Sequence, residues 1–410
     1  MTVPDTWSPT DAGEVAAAVN DALASGQTLE LLGGGSRRRL GRPVDADVLL
    51  DLSLISGIVS YQAEELVLVV APATPLAEIR TELEHKNQHL AFEPPAFGPL
   101  WGDTSASGTI GGAIMIGRGG ARRLTAGGAR DHVLGVKGVN GFGEAFAAGG
   151  RVVKNVTGFD LSKLVTGSFG TLCAVTELTL KVLPRPADAA TLVIFGLDDE
   201  AAVVAMRQAL NLLPVQVSSA AHLPAAVAPA STIKAIADPG VAATLLRIEG
   251  FGPSVTARLA NLKSALADVG PCVTLDAKAS ATVWSEVSDA TFFAAGVAPL
   301  WRLSVPPARG AVLGARLAQQ LECRHYYDLA GGAIWLETSA ADDAHALAIR
   351  GALQEVVAGD GHATLMRASD DVRRSTPPFQ PLTPVVADLT ERVRRNFDPR
   401  RIFNPGRMYA

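Results

Sequence analysis

The sequence predicts an α+β fold in a chain of 410 residues, 48% hydrophobic and 19% charged. Three observations predict it. Short apolar runs in the first half stop at glycine clusters, as strands entering tight loops do. The stretch 172–182 alternates, with Leu172, Ala174, Thr176, Leu178, Leu180 and Val182 on one face. Beyond Pro184 and Pro186, strand-like and helix-like segments alternate, and that change of texture puts a domain boundary at 186/187.

Taken in order, a helix opens at Asp11, which can cap it with Glu14 three residues on; Val15, Ala18, Val19 and Ala22 share a face. Residues 28–32 read as a strand that runs into Leu32-Gly33-Gly34-Gly35-Ser36. Strand signals recur at 48–52, 57–61 and 66–71, and a helix over 75–86 takes Pro75 at its start, where a missing N–H costs nothing. Residues 133–153 read as short strands with glycine turns. In the second half strands are expected near 191–195, 244–248, 301–305, 325–328 and 334–337. Helices are expected near 200–213, 255–267, 311–321 and 343–357. This alternation suits either a parallel sheet or antiparallel split units with helices on one face. Residues 218–230, rich in Ala, Pro and Ser, are expected to form a loop or weakly ordered insertion. A helix at 385–396 and a turn-rich tail follow.

Net charge is −5, so nothing global argues for nucleic acid. The basic runs Arg37-Arg38-Arg39 and Arg122-Arg123 lie beside glycine clusters and read either as phosphate or partner contacts or as solvated surface. Three scattered cysteines give no disulfide framework and too few ligands for an intrinsic iron–sulfur cluster. The N-terminus lacks the pattern of a signal peptide, and the uncharged stretch 211–233 is broken by Pro214, Pro224 and Pro229, so a cytoplasmic protein without a transmembrane segment is expected. His222, His325, His345 and His362 are too scattered to suggest a metal site.

Glycine clusters let bare N–H groups approach an anion. One is Gly33-Gly34-Gly35-Ser36. Another is Ser107-Gly108-Thr109-Ile110-Gly111-Gly112, followed by Gly117-Arg118-Gly119-Gly120. Two separated clusters suggest a diphosphate held from both sides. Neither a P-loop nor a Rossmann fingerprint is present. A downstream cassette, Lys154-Asn155-Val156-Thr157-Gly158, precedes Gly167-Ser168-Phe169-Gly170-Thr171-Leu172.

With Arg130-Asp131-His132-Val133-Leu134-Gly135 and the tail Phe403-Asn404-Pro405-Gly406-Arg407-Met408, these motifs resemble the vanillyl-alcohol-oxidase family, of PCMH-type fold. The resemblance implies a two-lobed FAD-binding domain over 1–186, an α+β cap domain over 187–370 with a sheet covered by helices, and a C-terminal helix and tail, 371–410, returning to the FAD domain. It implies FAD as cofactor. Gly33, Gly34, Gly35, Ser36, Ser107, Gly108, Thr109, Gly111 and Gly112 would lie at its diphosphate. Gly119, Gly120, Asn155 and Gly158 would lie at the flavin ring, and Gly170, Thr171 and Val175 on the adenine side. Cys173 stands where relatives often have glycine. No His or Cys lies between Gly33 and Arg42, so FAD is expected to bind non-covalently.

Within that superfamily the chain is similar to the E-subunit family of bacterial glycolate oxidases. That similarity implies oxidation of glycolate to glyoxylate together with a larger flavoprotein, the D-subunit, and an iron–sulfur protein, the F-subunit, through which the complex would reach the inner membrane. Catalytic residues stay unassigned. Arg302 and Arg324 are candidate carboxylate partners and His325 a candidate base, but His325 reads more simply as a part-buried strand residue. The expectation is a flavin that relays electrons while a partner binds the substrate. Two alternatives stay open: a stand-alone FAD-dependent 2-hydroxy-acid or alcohol oxidoreductase, and a scaffold subunit with a vestigial flavin site.

Overall fold

Apolar alternation in the first half builds two small sheets. The computed structural model describes residues 5–103, 108–150, 159–212, 215–294 and 296–409. Strands Asp5–Trp7, Val48–Asp51 and Leu29–Leu32 run parallel, Val48–Asp51 in the middle. Their Leu29, Val48 and Leu50 pack on helix Ala12–Ser25 through its buried Val15, Val19 and Ala22. Asp11 caps that helix as expected, accepting from the Glu14 N–H at 2.9 Å. The second sheet is antiparallel, in the order Ile58–Gln62, Val67–Val70, Cys173–Lys181, Val133–Asn140, Ala145–Gly149. The alternating stretch is thus its central strand, and Leu178, Leu180 and Val182 pack against Leu76, Ile79 and Leu83 of helix Leu76–Glu84.

Eight strands between residues 188 and 367 form one sheet. Its order is Cys272–Leu275, Asp188–Phe195, Ala243–Gly250, Ser219–Leu223, Cys323–Asp328, Ala333–Thr338, Leu300–Ser304, His362–Arg367, and every pairing is antiparallel. This decides between the two arrangements left open by the alternation. Period-two patterning splits the side chains cleanly. Leu192, Leu246, Trp301, Ile334 and Leu365 face helices Asp199–Asn211, Gly252–Ala265, Gly310–Gln320 and Ala346–Val357. Val193, Leu245, Leu300, Trp335 and Met366 face the other way, onto helix Ala277–Asp289 and onto Leu40, Phe97, Leu100 and Ile116 of the N-terminal half.

One expectation fails outright. Within 218–230, Ser219–Leu223 is a fully buried strand near the middle of the large sheet, not a loop. Alanine and serine carry little strand propensity, and burial between two neighbouring strands makes this one. Strands Cys272–Leu275 and His362–Arg367 and helix Ala277–Asp289 were likewise not anticipated.

The halves are bolted by ions. Arg122 is neither solvated surface nor a phosphate contact: it pairs with Glu249 at 2.6 Å and its backbone N–H donates to Glu93 at 2.7 Å. Arg247, lying 5.0 Å from the centroid of the Trp284 ring, donates to both oxygens of Glu93 at 2.9 and 3.1 Å. Two arginines and two glutamates therefore neutralise one another across the junction. Among the described residues no helix is long and apolar enough to cross a membrane.

Candidate functional site

Strand Leu29–Leu32 delivers the chain into the first glycine cluster, where the backbone stops pairing. The N–H groups of Gly33, Gly34, Gly35 and Ser36 have no acceptor among the described residues. Gly34 and Gly35 are exposed and Gly33 and Ser36 half-buried at the rim of the cleft, so these donors are open to an acceptor bound there. The second cluster behaves differently. The N–H groups of Ile110, Gly111 and Gly112 are already taken by Thr74 O, Pro72 O and Thr109 Oγ1. Those three donors are therefore turned to the protein, and no acceptor is seen for the N–H groups of Gly108 and Thr109 among the described residues. Glycine serves the second cluster by its size: a Cβ on Gly111 would stand 2.7 Å from Pro72 O, and one on Gly34 2.9 Å from Thr109 Cγ2. Gly108, at φ +79°, takes a backbone shape that disfavours side chains and lies directly against Arg37 and Ser36.

These loops enclose a cleft with a cavity volume of about 120 Å³ that opens to solvent. Arg37, Arg38 and Arg407 line it, and no carboxylate does. Arg38 and Arg407 share Glu30, at 2.5 and 3.4 Å. Arg37 is 8% exposed, donates to Pro95 O at 2.7 Å, and has a buried Nε without partner. Burial pulls the pKa of Arg37 down to about 10, with the charge of Asp289 partly offsetting it; burial likewise brings Arg407 to about 10 against Glu30. Both remain cations at neutral pH. Three cations against one carboxylate, beside free N–H donors and the Ser36 and Thr109 hydroxyls, fit a diphosphate dianion. These observations fit FAD.

The tail completes the wall. Asn404 N donates to Leu29 O at 2.8 Å, its Oδ1 accepts from Leu31 N at 2.9 Å, and its Nδ2 donates to Phe169 O at 2.8 Å. Asn404→Ala would orphan Leu31 N and Phe169 O, each at roughly 1–3 kcal/mol. A lowered urea midpoint and weakened FAD retention are expected; an unchanged midpoint would show the tail to be dispensable.

Of the anticipated contacts, Gly33, Gly34, Gly35, Ser36, Thr109, Gly111, Gly112, Gly170 and Val175 line the cleft, as does Cys173. Burial pushes the Cys173 thiol up to about 12, so it is inert. Thr171 instead turns its hydroxyl to Ser168 O at 2.7 Å. Gly119 and Gly120 lie outside the lining, packed against Phe92 O and against Glu93 and Ser288. Ser107, Asn155 and Gly158 fall outside the described residues. Arg37 and Arg407, which lay in motifs already noted, are the contributors that residue-by-residue reading passed over.

His325 stands on the helix-covered face of the large sheet with Tyr327, its Nε2 2.9 Å from Asp199 Oδ2. It points away from the N-terminal half and is a structural residue. Arg324 is paired with Glu337. Among the described residues no group of three His, Cys, Asp or Glu could hold a metal.

Residues 6–149 match the family model described as "FAD binding domain". Over 394 residues, 96% of this chain and 95% of the relative, the sequence is 30% identical to glycolate oxidase subunit GlcE of Escherichia coli (strain K12). Glycolate oxidase subunit GlcD of Bacillus subtilis (strain 168) is 32% identical over 176 residues, 42% of this chain and 35% of that one. The crystal structure of p-cresol methylhydroxylase with substrate bound matches with a TM-score of 0.71 at 14% identity, covering 98% of this chain and 88% of that one, which makes the fold PCMH-type. A donor-lined cleft on that fold, and a likeness running the whole length of the chain, place it in the GlcE family of glycolate oxidase subunits, as an FAD-dependent oxidoreductase acting on CH–OH donors.

Proposed function

We propose that this chain is the FAD-carrying subunit of a complex that oxidises glycolate to glyoxylate, alongside a larger flavoprotein of GlcD type and an iron–sulfur protein. The observation that carries the reading is the end-to-end likeness to GlcE, joined to a cleft whose free N–H groups and arginines suit a diphosphate. Bound FAD supplies a two-electron acceptor. The protein's part is to hold it: the Gly33–Ser36 backbone and Arg37 at the diphosphate, Gly170, Cys173 and Val175 along the opposite wall. With no His or Cys from Gly33 to Arg42, that hold is non-covalent. Residues 1–186 would bind FAD, 187–370 cap it, and 371–410 close it from behind. Cys173, Cys272 and Cys323 are free, one buried and one exposed, so electrons would leave through clusters on a partner. Any contact with the inner membrane would be made by those partners.

Co-expression with the two proposed partners, purification, and anaerobic addition of glycolate tests this. Flavin bands that bleach in the complex are the expected result. A complex that assembles with flavin and ignores glycolate would refute the substrate, and a chain that never takes up FAD would refute the cofactor role.

A further inference from the structure

We infer that the exposed face of helix Pro384–Phe397 is where the iron–sulfur protein docks, holding the helix in an apolar groove rimmed by carboxylates. The inference rests on the proposed function, and it names the part of this chain that the electron-accepting partner grips.

No residue of this 14-residue helix is buried. Its pattern is nonetheless that of a helix built to be covered. Val385, Val386, Leu389, Val393 and Phe397 fall on one stripe, roughly a third of its circumference. The chain covers only the end of that stripe. Phe397 packs edge-on against Phe146, ring centroids 6.1 Å apart, and Val393 is half-buried. Pro384 to Thr390 are exposed throughout, Val385 at 80%, Leu389 at 55% and Val386 at 46%. Phe142 extends the patch: it is exposed on the turn where Gly141 N donates to Phe397 O at 2.7 Å. So short a helix is marginal in water by its own hydrogen bonds, and covering its apolar face is what stabilises it. Most of that face is left to a surface from outside the chain.

Charge on the flanks selects the occupant. Arg392 borders the stripe, is exposed, and its guanidinium has no partner among the described residues. Arg394, Arg395 and Arg401 share the one carboxylate of Glu391, at 3.5, 3.0 and 2.9 Å. Asp398 is buried and accepts from the N–H groups of Ile402 and Phe403. A cationic surface thus stands on a chain of net charge −5, and it complements carboxylates on a partner. Asp388 and Glu391 among the arginines, and a stripe made mostly of valine, suit a protein groove. An anionic bilayer draws instead on clustered cations with Trp, Phe or Leu. Position names the partner. Just before the helix, Phe379 packs edge-on against Phe169 of the flavin-cleft wall, ring centroids 4.9 Å apart. Just after it, Asn404 and Arg407 line the same cleft. A protein holding the helix therefore stands beside that cleft, where an electron acceptor must be, since three scattered cysteines cannot carry the electrons onward.

The test titrates the purified iron–sulfur protein calorimetrically into the full-length, FAD-loaded chain. The wild type is expected to bind it, less tightly as salt rises. Leu389→Glu is expected to weaken binding at least roughly tenfold, with FAD content and melting temperature unchanged. Arg392→Glu is expected to weaken it about threefold and to flatten the salt dependence. Should Leu389→Glu disturb the helix, Leu389→Gln and Arg392→Glu decide. Wild-type affinity in these variants would overturn the inference, as would a wild type that does not bind the iron–sulfur protein. It would equally be overturned if Leu389→Glu abolished a different association: with the larger flavoprotein, with a second copy by light scattering, or with vesicles containing anionic lipid. If glycolate fails to bleach the assembled complex while Leu389→Glu still releases the iron–sulfur protein, the proposed substrate falls and the docking face stands.

Discussion

Arg37→Met should yield a folded chain that loses FAD on gel filtration. Arg37 is buried beside the free N–H groups of the Gly33–Ser36 loop and lacks a carboxylate partner within ion-pair distance among the described residues. In the empty protein its charge is a liability, so an apolar side chain of similar length is expected to leave the melting temperature unchanged or higher. With FAD present the sign reverses. Losing one or two charge-assisted hydrogen bonds, at roughly 1.5–3 kcal/mol each, weakens binding by about a hundredfold. Fluorescence titration of FAD together with melting of the flavin-free form separates the two effects. Wild-type affinity in the variant would mean that the diphosphate lies elsewhere.

Glu93→Ala is expected to be the most destabilising single change. Glu93 is the acceptor for Arg247 from the large sheet and for Arg122 from the N-terminal half. Removing it leaves two arginines sharing Glu249, and breaking a buried pair in this way costs roughly 3–5 kcal/mol. That is a large share of a typical total stability. Urea unfolding measures it, and a loss under about 1 kcal/mol would show the junction to be held by apolar packing alone.

The same quartet sets an acid limit. Burial pushes Glu249 up, but Arg247 and Arg122 outweigh it and hold it at about 2; Glu93 is held below its ordinary value by the same two arginines against the same burial. Folded values below the unfolded 4.5 contribute stability that is complete above that pH and is lost as pH falls toward about 2. Glu93→Ala should therefore flatten the acid side of the stability profile as well as lower it.

How much of this was legible depends on the range of the physics. Caps and alternation act over a few residues, so the Asp11 cap and the 172–182 strand could be read directly. Ser219–Leu223 could not: its small residues carry no strand signal, and only the strands beside it make it one. The glycine clusters announced an anion site, but which N–H groups stay free depends on Pro72 and Thr74, far away in the chain. Arg122 and Arg37 look alike in sequence. One ended in an ion quartet and the other at the cleft, because Glu93, Glu249 and Arg247 surround the first and no carboxylate pairs with the second.

The sequence alone thus determined the kind of fold, the two glycine loops and the motifs that pointed to FAD, since these are short-range patterns of size and polarity. Tertiary structure decided the antiparallel order of the large sheet, the closure of the cleft by Asn404 and Arg407, and the meeting of Arg118 with Thr364. Those outcomes rest on contacts between residues hundreds of positions apart, where burial and charge pairing act only after the chain has folded.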